Sequence, residues 1–177
     1  MSTIKLINGS SVDQEVDAIV NAANKYLAAG GGVCGEIFKR AGYIELSNAC
    51  KRINTPLNTG DAVITDSFNI INTKYIIHAV GPNFNDSNSN INELYLAYKN
   101  SLKVLKENNL HTISFPLISS GIFGGNLPNP ARSSTEQCLK AYNDFIKEND
   151  YNIDVILCAY SKKEYQEARS VFNNEWL

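Results

Sequence analysis

Histidine is scarce in this chain, with only His78 and His111 among 177 residues, and the four cysteines, Cys34, Cys50, Cys138 and Cys158, form no C-x-x-C pair. That inventory is poor for a structural zinc site, and isolated cysteines of this kind read as reduced thiols. No apolar run approaches the roughly 20 residues that span a bilayer. The first residues, Met1 to Asn8, lack a signal peptide's long apolar segment, so a cytoplasmic or nucleocytoplasmic location is expected. There is no excess of positive charge either: the net charge is −2 and no Lys/Arg cluster stands out. Duplex DNA, RNA and membrane surfaces are thereby disfavoured as partners. An anionic ligand would have to be held by backbone N–H groups, helix N-termini or a few placed side chains. Neither G-x-G-x-x-G nor a Walker loop occurs, so no NAD or ATP site and no cofactor is indicated.

What is present is a chain of ordinary single-domain size, 44% apolar and 19% charged. Six short runs, nearly continuous in apolarity, suit strands covered on both faces. They are Ile4–Ile7, Ala18–Asn21, Ala62–Thr65, Tyr75–Val80, Thr112–Phe115 and Asp154–Ala159. Helical spacing lies between them. Val33, Ile37 and Ala41 precede a stop at Gly42; Leu46 and Cys50 mark a second helix. Ile91 to Leu105, Ala131 to Phe145, and Tyr165, Ala168 and Phe172 mark three more. The polar stretch Asn83 to Asn90 reads as a surface loop. Alternating strands and helices predict a three-layer α/β/α sandwich around a mixed, largely parallel sheet, with ligands at the carboxyl ends of its strands.

Two loops at such ends are rich in glycine. One runs from Asn24 through Gly30-Gly31-Gly32 to Val33, where a helix is expected to open. Glycines before a helix N-terminus expose N–H donors in the positive end of a dipole, a site for phosphate or diphosphate. Taken alone, the same residues would serve equally as a flexible connection. The other loop, Pro116-Leu117-Ile118-Ser119-Ser120-Gly121-Ile122-Phe123-Gly124-Gly125-Asn126, likewise joins a strand to a helix beginning near Pro128 to Pro130. Phe123, amid glycines, looks displaced from any core. His78 sits inside an apolar strand and reads as a buried structural histidine rather than a base.

Three blocks resemble the signature of macro domains, in the family's order. They are Val16-Asp17-Ala18-Ile19-Val20-Asn21-Ala22-Ala23-Asn24 with Gly30-Gly31-Gly32-Val33, Tyr75 to Pro82, and Phe115 to Gly124. The likeness extends from about Ile4 to Phe172, so 1–177 is expected to be one macro domain. The resemblance implies a cleft for ADP-ribose. Gly31, Gly32 and Val33 would line the diphosphate and ribose, with Ala22 at the strand end beneath them. Ser119, Ser120, Gly121, Ile122 and Phe123 would form the opposite wall. Asn24 would bond the distal ribose hydroxyls, since an amide both donates and accepts; the bland alternative is a helix cap or turn residue. Tyr160 matches an aromatic position that stacks on adenine, or is an ordinary strand-end tyrosine. Asn24 and Gly32 are the catalytic candidates.

The chain also departs from the family pattern. Ser10, with Ser11 beside it, stands where many members have an Asp that accepts from adenine. Cys34 replaces the Asp that follows Gly-Gly-Gly-Val in MacroD-like hydrolases, and Phe38 replaces their His. Cys34 is either a small residue facing the first helical turn or a thiolate favoured by the helix end. Viral macro domains also lack that Asp yet include hydrolases; where these often carry a His before the glycines, this chain has Ala29. In them a water held against the substrate phosphate is thought to attack the anomeric carbon. The resemblance implies a monomeric, metal-independent hydrolase of mono-ADP-ribosyl esters on acidic side chains, or of small ADP-ribose esters. A non-catalytic reader of ADP-ribose is the alternative, and binding of RNA or another nucleotide a third class.

Overall fold

A computed structural model describes residues 1–175. Six strands, β1 (Thr3–Asn8), β2 (Ala18–Ala23), β3 (Ala62–Asp66), β4 (Tyr75–Val80), β5 (Thr112–Pro116) and β6 (Asp154–Ala159), form one sheet in the order β1-β6-β5-β2-β4-β3. Only β3 is antiparallel to its neighbour. The helices are α1 (Gly32–Ala41), α2 (Tyr43–Lys51), α3 (Ile91–Glu107), α4 (Pro130–Glu148) and α5 (Lys162–Glu175). The expected architecture and all six strands are present, with boundaries shifted by a residue or so.

Alternation along the central strand β2 explains the layers. Ala18 and Val20 join one core with Leu94, Tyr98 and Leu102 of α3 and Cys138, Tyr142 and Phe145 of α4. Ile19 and Ala23 face the other way and join Ile37, Phe38 and Leu46 of α1 and α2. With side chains of successive residues pointing to opposite faces, burial on both sides requires the unbroken apolarity seen in the sequence.

The helices begin where local chemistry dictates. Asn90 accepts from the Glu93 N–H while the Glu93 carboxylate accepts from the Asn90 N–H, a capping box that starts α3. Asn129 caps α4 with Pro130 in its first turn. Helix α1 ends at Gly42, whose φ of 107° leaves the helical region.

His78 lies wholly buried on the α1 and α2 face, as expected of a structural histidine. Asn21 Nδ2 donates to its Nδ1 at 3.0 Å. Nε2 therefore carries the proton and donates to Thr65 Oγ1 at 2.9 Å, whose own hydroxyl donates to the Asp66 carbonyl. Burial lowers its pKa from 6.5 to about 4. Between those values the unfolded chain binds a proton that the folded one refuses, so stability falls as pH drops from 6.5 toward 4. The shift corresponds to about 3 kcal/mol. Urea titrations at pH 7.0 and 4.5 should show the wild type losing more stability than His78→Gln over that interval. Equal losses would show that His78 is not the group responsible.

Candidate functional site

Strand connectivity locates the site before any side chain does. From β2 the chain leaves through α1 and α2 toward β3 and β4, on one face of the sheet. From β5 it leaves through α4 toward β6, on the other face. The boundary between β5 and β2 is thus where connections diverge, the position at which open α/β sheets form a crevice. The pairing reinforces this. Strands β2 and β5 are in register only at Ala18–Ile113 and Ile19–Ser114. Beyond that point β2 runs on to Ala23 and β5 to Pro116 without pairing to each other, so the strands part toward their carboxyl ends.

The loop after β2 carries one side of this crevice. Helix α1 starts at Gly32, one residue earlier than expected, with Gly31 as an N-cap that offers no side chain. The first intrahelical bond runs from Gly35 N–H to the Gly31 carbonyl. The N–H groups of Gly32, Val33 and Cys34 make no hydrogen bond among the described residues and converge at the positive end of the helix. Gly32 has φ of 58°, a conformation costly for any other residue. Gly35 must also be glycine, because a Cβ there would lie 2.5 Å from the Gly30 carbonyl oxygen, which folds back over the helix.

Asn24 is in the loop, but its side chain is engaged by that loop. Oδ1 accepts from the N–H of Tyr26 and Ala28, each at 3.1 Å, and Nδ2 donates to the Ala28 carbonyl at 2.9 Å. The turn reading therefore describes this conformation. One Nδ2 proton remains for a ligand. Cys34 is buried, and its thiol points to the same Ala28 carbonyl, 3.7 Å away. Burial raises the thiol's pKa, more than the Gly30 N–H and the Asn21 side chain lower it. The sulfur sits in the protein interior, where its charged form is disfavoured, which favours the small structural residue over the helix-stabilised thiolate.

The loop after β5 forms the other side. It is braced from beneath by a buried ring of hydrogen bonds. Ile118 N–H donates to Tyr98 Oη at 2.9 Å, Tyr98 donates to Ser134 Oγ, and Ser134 donates to the Ile118 carbonyl at 2.6 Å. The segment after β4 clamps it from the side. Ser119 Oγ donates to the Pro82 carbonyl, Phe84 N–H to the Phe123 carbonyl, and Asn85 Nδ2 to the Ile122 carbonyl, all at 2.7 Å. The Asn83 to Asn90 stretch is thus a surface loop with a structural task. The hydroxyls of Ser119 and Ser120 are spent within the protein, so only the main chain of these residues is left to meet a ligand. The N–H groups of Gly121, Ile122 and Phe123 are unpaired among the described residues. Ile122 is 90% exposed, and Phe123 is half-buried.

The remaining candidates line the neighbouring strand ends. Ala22 closes β2. Tyr160 follows β6 and is 78% exposed, an open aromatic face. Ser10 follows β1 and accepts from the Val12 N–H at 3.2 Å, capping a short 3-10 turn at Ser11–Asp13. Ser11 is buried with an unpartnered Oγ closed to solvent, so it can touch a ligand only through its backbone. The bracing residues Tyr98, Ser134 and Asn85 were invisible in the sequence, because their partners lie on other elements. Among the described residues no group of three His, Cys, Asp or Glu could hold a metal.

Fold and site together define a class: an α/β/α domain whose strand-end crevice is walled by two glycine-rich, amide-presenting turns. The macro domain family model matches residues 20–142, and the chain belongs to that family. It is 36% identical over 166 residues to an O-acetyl-ADP-ribose deacetylase of Escherichia fergusonii, covering 92% of this chain and 90% of that one. It is 37% identical to human ADP-ribose glycohydrolase MACROD2, covering 92% of this chain but 37% of that relative. The macrodomain of Oceanobacillus iheyensis, solved with ADP, superposes with a TM-score of 0.89 at 31% identity, covering 99% and 92% of the two chains.

Tyr98 offers a direct test of the brace. Tyr98→Phe leaves the Ile118 N–H buried without an acceptor and should cost about 1–3 kcal/mol in urea unfolding. A loss below half a kcal/mol would show that the ring does not carry the loop.

Proposed function

We propose that this domain binds ADP-ribose along the carboxyl ends of β1, β6, β5 and β2 and hydrolyses mono-ADP-ribosyl esters on acidic side chains, or small ADP-ribose esters. The observation that carries the reading is the pair of turns after the neighbouring strands β2 and β5, each with unpaired N–H groups, Gly32 to Cys34 and Gly121 to Phe123. Such amides, one set at a helix N-terminus, suit a diphosphate. The four strand ends span about 14 Å at the usual spacing of neighbouring strands. Along that line Ser10 and Tyr160 stand at one end, where adenine would stack on the open tyrosine ring. The two turns stand in the middle and at the other end, where Asn24 faces the distal ribose. The names of the E. fergusonii and human relatives point to the same ligand and to ester or glycosidic hydrolysis.

The chemistry then rests on placement. His78 is buried and neutral, and the Cys34 thiol is protonated in the interior. Neither supplies a base or nucleophile. The water oxygen forms a bond to the anomeric carbon as that carbon's bond to the carboxylate oxygen breaks. The carboxylate leaves with the electron pair, and the water's proton passes to solvent or to the departing acid. The turns hold the diphosphate, and through it the water, in position. The domain acts as a monomer in the cytoplasm under this reading.

A second reading, a reader without turnover, is favoured by two observations: Asn24 is bonded within its own loop, and Cys34 brings no charge to the groove. Calorimetry with ADP-ribose and a label-release assay on a mono-ADP-ribosylated transferase separate the two. Binding with release supports the hydrolase, binding without release at high enzyme concentration supports the reader, and no binding removes both. Gly31 takes φ of −91° with open space around it, so Gly31→Glu places a carboxylate in the groove without backbone strain. It should abolish binding while leaving the melting temperature nearly unchanged. Gly32→Glu should also abolish binding but carries added strain from its φ of 58°. Asn24→Ala should lower hydrolysis about tenfold or more with a milder loss of affinity. Ordinary affinity in the Gly31→Glu protein would show that the ligand sits elsewhere.

A further inference from the structure

The turn after β5 is held by many bonds from the β4 side, but on the α5 side by a single carboxylate. Ser120 Oγ lies 3.0 Å from Glu164 Oε2 and also 2.8 Å from the Leu117 carbonyl. The other oxygen, Glu164 Oε1, accepts from Ser161 Oγ at 3.0 Å, while the Glu164 N–H donates to that same Oγ at 3.1 Å. Glu164 is thus a capping-box residue of α5 with a second task. Its cap fixes the carboxylate's direction, and its free oxygen reaches across to the residue next to Gly121. Ser161 directly follows Tyr160. One half-buried side chain therefore joins the strand end that carries the exposed aromatic ring to the turn that carries the unpaired amides.

A carboxylate beside an anion-binding turn is electrostatically unfavourable for a diphosphate. An ordinary capping residue would have no need to reach Ser120 at all. We infer that Glu164 is a positioning residue that fixes the Ser120–Phe123 turn through Ser120, so that its amides stand ready at a set distance from the Tyr160 side of the groove. The role it plays for a ligand rests on the ADP-ribose reading above; the fixing of the turn does not.

Charge and position pull in opposite directions, which makes the inference testable. Glu164→Ala removes the tie and should weaken ADP-ribose binding about tenfold, the worth of one charge-assisted hydrogen bond. Glu164→Gln can keep its carbonyl toward Ser161, as the cap requires, and turn its amide toward Ser120 Oγ, which then accepts while still donating to the Leu117 carbonyl; the negative charge is removed. It should bind at least as tightly as the wild type. Ser120→Ala should weaken binding to a similar degree, and the Glu164→Ala/Ser120→Ala double variant no further than either single one. A residue that merely caps α5 would lower the melting temperature without this pattern. The ligand-free protein gives an independent readout by NMR hydrogen exchange. The amides of Ser120, Gly124 and Phe84, bonded within or against the turn, should exchange about tenfold faster in Glu164→Ala and Ser120→Ala and return toward wild-type rates in Glu164→Gln. Unchanged exchange at those amides in Glu164→Ala overturns the inference, as do additive losses of affinity in the double variant. If the wild type does not bind ADP-ribose, the functional reading fails and the exchange rates alone decide whether Glu164 holds the turn.

Discussion

Main-chain N–H groups left without a partner at the ends of β2 and β5 are the constraint around which this domain is arranged. A polypeptide pairs nearly all its buried amides, so such groups persist only at a surface where water or a ligand can reach them. Here they are exposed because β2 and β5 stop pairing after Ile19 and Ser114, and because the chains leaving them go to opposite faces of the sheet. Glycine follows from the same requirement. Gly31 and Gly121 have open space where a Cβ would stand.

Beneath the exposed amides the protein is closely tied. The Tyr98–Ser134–Ile118 ring holds the root of the second turn, and the segment after β4 grips its flank. The first turn is closed by Asn24 and Gly30 folding back on their own loop and helix. Preorganisation of this kind reduces the conformational entropy lost when a ligand binds.

The layers and strands were legible because burial on both faces leaves a direct mark, as in Ala18-Ile19-Val20 and Tyr75 to Val80. The turns were legible from their glycines, of which Gly32 and Gly125 hold positive φ. His78 was recognisable as structural from the apolar run around it. Side-chain direction was less accessible. The hydroxyls of Ser119 and Ser120 turn inward to Pro82, Leu117 and Glu164, and nothing local announces those partners. Ser11 looked available from its place after β1, yet is buried by the 3-10 turn it begins. For Cys34 at a helix N-terminus the sequence left a small structural residue and a thiolate both open, and only the packing of the sulfur inside, which raises its pKa, favours the first. Each of these depends on contacts between distant segments.

The most direct measurement is an amide NMR titration of the intact protein with ADP-ribose. The account predicts the largest shifts at Gly32, Val33, Cys34, Gly121, Ile122 and Phe123, moving together with one dissociation constant. Shifts confined to one of the two turns, or centred at the opposite, amino-terminal edge of the sheet near Asp17 and Thr112, would contradict it.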